Sequence, residues 1–342
     1  MIATNAQTQT ALFLGSASDP MLPERIRAGQ HPRVEYLELI NSYGCHPLSG
    51  TKWSLAAMAR ADRSLRCALT TGEDIGFPIA LIQRLTGGSL PLGIITHGSY
   101  LGSRKAVWVL RLLRGLPSLH FLCLSDSLRQ RLIEVHHVPK DRVHTIGYGV
   151  DTHFFQPQPC ADLIRRQVAS AGMANRDYQT LAAAASGQEI EVKIAADSAW
   201  FRADLDISGQ DLPPNVEARS YGNYVGLRQL YAESACVVVP LYPAVHACGY
   251  AVIAEAMAMG KPVITTRIAG QSDYIREGET GFTVPPGDPL ALRARILELL
   301  DNPALAARMG QNARCLIEEK YTLEDCNSRV AAALGLDGAK TT

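Results

Sequence analysis

The sequence predicts an α/β protein of two consecutive halves, each a parallel sheet with helices on both faces. Three observations carry this. Short apolar, β-branched runs alternate with helical patterns. The alternation breaks once, at Tyr148–Pro159, and then restarts. The length of 342 residues suits two domains of roughly 150 residues each.

In the first half, strands are expected at Ala11–Leu14, Val34–Leu39, Cys67–Thr70, Leu92–Thr96, Phe121–Leu124 and Val143–Ile146. Helical patterns lie between them near Gly76–Leu85, Arg104–Leu113 and Asp126–Val135. Pro78 suits the first turn of the Gly76–Leu85 helix, where its missing N–H costs nothing. The break at Tyr148–Pro159 has no period and holds Pro157 and Pro159, so it reads as an interdomain linker. Strands resume at Gln167–Ala171, Glu191–Ala195, Val216–Ser220, Cys236–Pro240, Pro262–Thr266 and Gly281–Val284. Helices are expected near Tyr178–Ala185, Gly226–Glu233, Tyr250–Met257, Leu290–Leu300, Ala304–Glu318 and Leu323–Leu334.

Composition narrows the function classes. Lys+Arg and Asp+Glu both number 33, a formal net charge of zero, so the basic excess of a general nucleic-acid binder is missing. No run of about 18 uncharged apolar residues suggests a spanning helix. Met1–Thr10 is polar, without the basic and apolar regions of a secretory signal. Eight cysteines are scattered without a CxxC pair, which fits reduced thiols and a cytoplasmic protein.

In open α/β sheets, ligands sit beyond the carboxyl ends of the strands. Two such halves facing each other leave a cleft, and the residues just after strands become the candidates. These are Gly15–Ser18, His97-Gly98, Ser125, Gly172–Arg176, Gly222–Tyr224 and His246–Glu255. The most informative stretch is Pro240–Thr265, which reads strand, loop, helix, Gly, strand. Its helix starts near Gly249-Tyr250, and exposed N–H groups at a helix start make an anion site. Glu255, a turn and a half further on, can accept hydrogen bonds from two vicinal hydroxyls such as a ribose presents. The pair suits a nucleoside diphosphate. Arg176 is the sole cation in the loop after the first C-terminal strand, and a guanidinium bridges two phosphate oxygens. His97, turned by Gly98 after its strand, is placed to bond a donor sugar or orient an acceptor hydroxyl.

Other features read more plainly. Glu73 and Asp74 are expected to cap a helix, and His136-His137 to form a solvated helix end. Asp204 and Asp206 spell a DxD, but three letters in a loop do not make a metal site. No histidine, cysteine or carboxylate cluster has ligand spacing, and no GxGxxG follows the first strand, so neither metal nor cofactor is expected. Along the Arg104–Arg114 helix, Arg104, Arg111 and Arg114 fall within roughly an 80° arc at about 100° per residue. It reads as a sheet-covering helix with solvated cations, or as a basic, Trp-bearing helix touching the inner face of a membrane peripherally.

Several segments, in order, resemble retaining glycosyltransferases of the GT-B fold, in particular glycosyltransferase family 4. AEAMAMGKPVI at Ala254–Ile264 resembles the family's "EAMA-x-G-x-PV" core. SDSLR at Ser125–Arg129 looks like its serine-led segment, and IGYGVDTHFF at Ile146–Phe155 like its "NGVD…F" linker. AGQSDYI at Ala269–Ile275 with ETGF at Glu279–Phe282 resembles "GG…E.I…TGF", and Leu299 to Arg314 the closing "LL…MG..AR". The match spans roughly residues 120–320 and is weak over residues 1–119.

The resemblance implies two facing Rossmann-like domains with parallel sheets. An acceptor domain is expected over 1–148, a linker over 149–159 and a nucleotide-sugar-binding domain over 160–320, with a helix at about 321–336 packing back on the first. It implies transfer of a sugar from a nucleotide diphosphate donor, UDP first among bases, to an acceptor hydroxyl, with retention and without metal. Gly172, Arg176, His246, Gly249, Tyr250, Ala251 and Glu255 would line the donor, Gly15, Ser16 and His97 the acceptor side, with His97 and Arg176 in catalysis. The chain departs from the family in two places. The family's acidic pair is two glutamates separated by seven residues, but the position eight before Glu255 is Ala247. Arg176 also stands alone where the family has an Arg and a Lys. A non-catalytic nucleotide-sugar binder, or a GT-B epimerase or phosphorylase, remain the alternatives.

Overall fold

A computed structural model describes residues 9–13, 21–43, 45–48, 56, 65–158, 164–196, 212–270 and 273–336. The first half runs β1 (Gln9–Phe13), α1 (Leu22–Arg27), α2 (Glu35–Tyr43), β2 (Cys45–Leu48), β3 (Leu65–Thr70), α3 (Glu73–Thr86), β4 (Leu92–Thr96), α4 (Arg104–Leu113), β5 (Leu119–Cys123), α5 (Asp126–Glu134) and β6 (Val143–Thr145). The second runs β7 (Ile164–Ala171), α6 (Tyr178–Ala185), β8 (Glu191–Ala195), β9 (Val216–Arg219), α7 (Tyr224–Glu233), β10 (Ser234–Val239), α8 (Tyr250–Ala258), β11 (Val263–Thr266), β12 (Gly281–Val284), α9 (Pro289–Asp301), α10 (Pro303–Lys320) and α11 (Leu323–Leu334).

The strands form two six-stranded sheets, ordered β2-β1-β3-β4-β5-β6 and β12-β11-β10-β7-β8-β9. Every pairing in both is parallel. Parallel strands covered on both faces read as continuous apolar runs. Hence β4, LGIIT, is buried along its whole length, and Val237, Val238 and Val239 of β10 are inaccessible.

The last helix leaves the second half and covers the first sheet. α11 lies against α2, β4 and β5. Gly93 makes room for it, since a Cβ there would stand 3.0 Å from both Leu334 methyls. Arg329 Nε donates to the Ile146 carbonyl at 2.8 Å and Asn327 Nδ2 to that of Glu35 at 3.3 Å.

This return explains one correction. Val34–Leu39, expected as a strand, is helical from Glu35 on, as the start of α2, and the edge strand is Cys45–Leu48. VEYLEL alternates like a strand, but the same residues give a helix a buried face, with Leu39 1% exposed, once α11 is there to cover it. Pro47 is tolerated in β2 because that strand sits at the sheet edge.

Three smaller corrections follow from packing. α3 begins at Glu73, so Pro78 lies inside the helix rather than in its first turn. Gly76 lets α3 press on β4, since a Cβ there would meet Ile94 at 2.5 Å. His136 is buried rather than solvated, because His137 takes a left-handed conformation (φ 54°) and turns the chain back on itself. The linker is part of the core, with Phe154 and Phe155 buried. Arg314 holds its turn from below, donating to the Thr152, Phe155 and Ala258 carbonyls.

Gly310, inside α10, shows how tightly the second half is packed. A Cβ there would sit 2.0 Å from the Gly260 carbonyl oxygen, at the end of α8. Helix propensity alone would make Gly310→Ala stabilising by about 1 kcal/mol. We expect the opposite sign, a loss of about 1–3 kcal/mol from overpacking. A melting temperature equal to or above the wild type's would show that α10 does not approach α8 this closely.

Candidate active site

The carboxyl end of β7 turns sharply at Gly172 (φ 88°). A Cβ there would lie 2.6 Å from Arg176 Nη2, so glycine lets the guanidinium fold over the strand end. Arg176 is 6% exposed. Its Nε donates to the Ala171 carbonyl at 2.9 Å and Nη1 to that of Ala174 at 2.7 Å. A guanidinium has five N–H donors, so these two bonds orient it without exhausting it. Asp177 does not pair with it. That carboxylate caps α6, accepting from the Thr180 N–H at 3.1 Å and the Thr180 hydroxyl at 2.7 Å.

The loop after β10 leads to α8. Gly249, its N-cap, has φ 76° and offers no side-chain cap. A Cβ at Gly249 would meet Val239 Cγ1 at 2.8 Å, so both the conformation and the close approach require glycine. The first N–H groups of α8, from Tyr250 and Ala251 onward, have no intrahelical acceptor. The Tyr250 hydroxyl is committed, donating to the Gly270 carbonyl at 2.8 Å, so Tyr250 offers this helix start its main chain. Glu255, in the second turn, is 8% exposed. Tyr231, wholly buried on α7, donates its hydroxyl to Glu255 Oε2 at 3.0 Å. Burial pushes the Glu255 carboxyl up to about 8, against the pull of the Tyr231 hydrogen bond and the Arg176 charge. Arg176, Glu255 and the α8 start are therefore neighbours in one electrostatic environment.

The first half faces them with the loop after β4. His97 Nε2 is 3.0 Å from the Thr71 carbonyl; a carbonyl only accepts, so the proton is on Nε2, and in the neutral ring Nδ1 is the acceptor. Gly98 (φ 82°) donates its N–H to Glu73 Oε1 at 2.6 Å. Glu73 therefore holds this loop rather than capping α3, whose N-cap is Gly72 without a side-chain bond. The Ala247 N–H donates to the His97 carbonyl at 2.7 Å and joins the two halves directly. His246 stands at this junction, its Cα 3.4 Å from where a Gly98 Cβ would lie. Behind it, a Cβ at Gly270 would collide with the His246 carbonyl at 2.1 Å. A second link joins the Asp126 N–H to Asp273 Oδ2 at 2.7 Å.

The structure thus gathers Gly172, Arg176, Gly249, Tyr250, Ala251 and Glu255 at the second sheet, with His97 and His246 where the halves touch. Gly15, Ser16, Asp204 and Asp206 lie outside the described residues. Among the described residues, no group of three or more His, Cys, Asp or Glu is arranged to hold a metal ion. Sequence reading missed Tyr231 and gave Glu73 a different role. Tyr231 lies in an ordinary helical pattern, and only its approach to Glu255 distinguishes it. Glu73 had the composition of a cap, and its partner lies 25 residues away.

Comparison with known proteins agrees with this architecture. Residues 174–302 match the family model for glycosyl transferases group 1, and residues 23–154 that for glycosyltransferase family 4. The chain is 26% identical to the alpha-D-kanosaminyltransferase of Streptomyces kanamyceticus, over 92% of each chain. It is 36% identical over 99 residues to the D-rhamnosyltransferase WbpZ of Pseudomonas aeruginosa, covering 29% of this chain and 25% of that one. Among solved structures, Anabaena Alr3699/HepE, crystallised with UDP and glucose, superimposes with a TM-score of 0.71 at 17% identity over 96% of this chain and 99% of that one. Two parallel-sheet halves, a helix start with a buried carboxylate in the second, a histidine loop in the first, and both family matches lead to one assignment: the chain belongs to the family 4-like, group 1 glycosyltransferases of the GT-B fold, enzymes that draw on a nucleotide-sugar donor.

Proposed function

We propose that the protein moves a sugar from a uridine diphosphate donor to an acceptor hydroxyl at the first-half side of the cleft, with retention at the anomeric carbon and without a metal ion. The observation that carries this reading is the grouping of Arg176, the α8 start and Glu255 opposite the His97 loop. The diphosphate lies on the N–H groups of Tyr250 and Ala251 and on Arg176, with Gly172 giving the guanidinium its place. Glu255, held by Tyr231, takes the two ribose hydroxyls. His246 borders the sugar, while His97, with Gly15 and Ser16, orients the acceptor. As the bond to the sugar breaks, charge grows on the leaving phosphate oxygen. A helix start and an arginine already aimed at that oxygen stabilise it without reorganising. Retention follows if the acceptor attacks from the leaving-group face and a phosphate oxygen takes its proton. No protein nucleophile is then needed, and Ala247 in place of a glutamate leaves the chemistry possible. UDP is favoured because the structurally similar HepE was crystallised with it.

A melting screen across nucleotide sugars tests the base and the sugar, since a ligand of the folded state raises its stability. A UDP-sugar should raise the melting temperature most. With an acceptor found, the product should keep the donor's anomeric configuration by NMR. Turnover should persist in EDTA. Turnover abolished by chelator and restored by magnesium or manganese, or an inverted product, would overturn the corresponding part of the reading.

Arg176→Ala should weaken UDP binding by about 1.5–3 kcal/mol, the worth of hydrogen bonds to a charged group. It should also lower the melting temperature, because the Ala171 and Ala174 carbonyls lose their donor. Calorimetry showing normal UDP affinity in a folded variant would place the clamp elsewhere.

Glu255 generates a prediction with a definite sign. Its carboxyl titrates near 4.5 when unfolded and at about 8 when folded. The folded chain holds the extra proton between those values, so this contribution to stability is complete below about 4.5 and is lost as pH rises through about 8. Ribose hydroxyls donate and therefore favour the ionised carboxylate. UDP binding near pH 7 should release a proton from Glu255, read as a dependence of the binding enthalpy on buffer ionisation. Glu255→Gln should release less and bind more weakly. Equal proton release and affinity in the two proteins would remove Glu255 from the ribose site.

A further inference from the structure

The formal net charge of zero conceals a marked asymmetry. Between Asp74 and Asp126 the sequence contains no acidic residue, yet it carries Arg84, Arg104, Lys105, Arg111 and Arg114. That span builds most of α3, all of β4, α4 and β5. It also holds four large apolar side chains at the surface: Leu85, Tyr100, Trp108 and Leu112.

These features meet on α4. Leu110 and Leu113 are 1% and 0% exposed and face the core. Trp108 and Leu112 are 67% and 47% exposed, and Arg104, Lys105 and Arg111 are exposed beside them. At about 100° per residue, these five fall within an arc of about 120°, with Trp108 and Leu112 between Arg104 and Arg111 on one side and Lys105 on the other. Among the described residues, Arg104, Lys105, Arg111 and Arg114 have no acidic partner. The neighbouring helix α3 ends with Arg84 and Leu85 exposed.

We propose that α4 is the surface by which this enzyme docks on an anionic lipid bilayer. The helix lies in the interfacial plane, Trp108 and Leu112 enter the headgroup boundary, and Arg104, Lys105 and Arg111 beside them meet the lipid charge. The charge pattern selects this occupant. An apolar centre rimmed only by cations suits a continuous anionic surface, whereas a second copy would bring the same cations against it. No helix among the described residues is long and apolar enough to cross a membrane, so the attachment is interfacial. Docking also orients the cleft. The loop leading into α4 touches the second half at Gly102, where a Cβ would lie 3.3 Å from Val245 Cγ2. The cleft mouth therefore lies at the start of a helix about 15 Å long, near the lipid surface where a membrane-borne acceptor would arrive.

Sedimentation of the full chain with vesicles tests this. The wild type should bind phosphatidylcholine vesicles containing phosphatidylglycerol, fail to bind pure phosphatidylcholine, and be released by salt. Trp108→Ala should weaken binding about tenfold. Replacing Arg104, Lys105 and Arg111 together by Glu should weaken it more than a hundredfold, at about fivefold or more per cation. Both variants alter exposed side chains, so their melting temperatures should equal the wild type's. Absence of binding to the mixed vesicles, binding that the folded variants retain, or a dimer that Trp108→Ala dissolves without any vesicle binding would each overturn the proposal.

Discussion

The chain crosses between its halves twice, and the two crossings hydrogen-bond to each other. The Val150 N–H donates to the Tyr321 carbonyl at 3.0 Å, and the Leu323 N–H to that of Val150 at 3.2 Å. Gly149 makes the contact possible, because a Cβ there would come within 3.0 Å of Leu323 Cα. Arg33 ties the same point to both halves, bonding Asp151 at 3.1 Å and Glu324 at 2.6 Å. Everything at the cleft depends on this knot. It places the carboxyl ends of two parallel sheets opposite each other, and it sends α11 back to complete the first sheet. At the mouth, Ala247 to His97 and Asp126 to Asp273 then suffice to join the loops.

Parallel topology supplies the rest of the geometry. All strands of a sheet end on one side, so the loops that follow them collect there and the helix starts point at the same space. The second half uses this to put a helix start, an arginine and a glutamate together. The first half brings a histidine whose hydrogen bond sets its tautomer. The buried carboxylate is expensive on its own, and the fold lowers its cost with one tyrosine hydroxyl and one nearby cation rather than with an ion pair. In the proposed function, that leaves Glu255 able to give up its proton when a nucleotide binds. A fully paired carboxylate would be more stable and less able to bind.

The outer surface obeys a different constraint. A helix covering a sheet needs apolar residues only on its inner face, and α4 satisfies this with Leu110 and Leu113. Trp108 and Leu112 are surplus to that need. Their exposure beside exposed cations is a property of the surface rather than of folding, which is why it bears on what the protein touches.

The sequence by itself determined the class of fold, the two halves, most strands and helices, and the family. These are local or ordered properties: apolar period, turn residues and motif order survive without knowledge of contacts. The candidates Arg176, Gly249 and Glu255 were legible for the same reason, since each follows a recognisable strand or opens a helix. Only the tertiary structure decided the matters that hang on distant partners. Val34–Leu39 could alternate as a strand until α11, nearly three hundred residues later, covered it as a helix. Glu73 looked like a cap until Gly98 took its carboxylate. Tyr231 had no motif at all, and its role comes from a hydroxyl reaching a carboxylate 24 residues away. A hydrogen bond is set by positions in space, and pairs so far apart in the chain are brought together only by the packing of the whole domain.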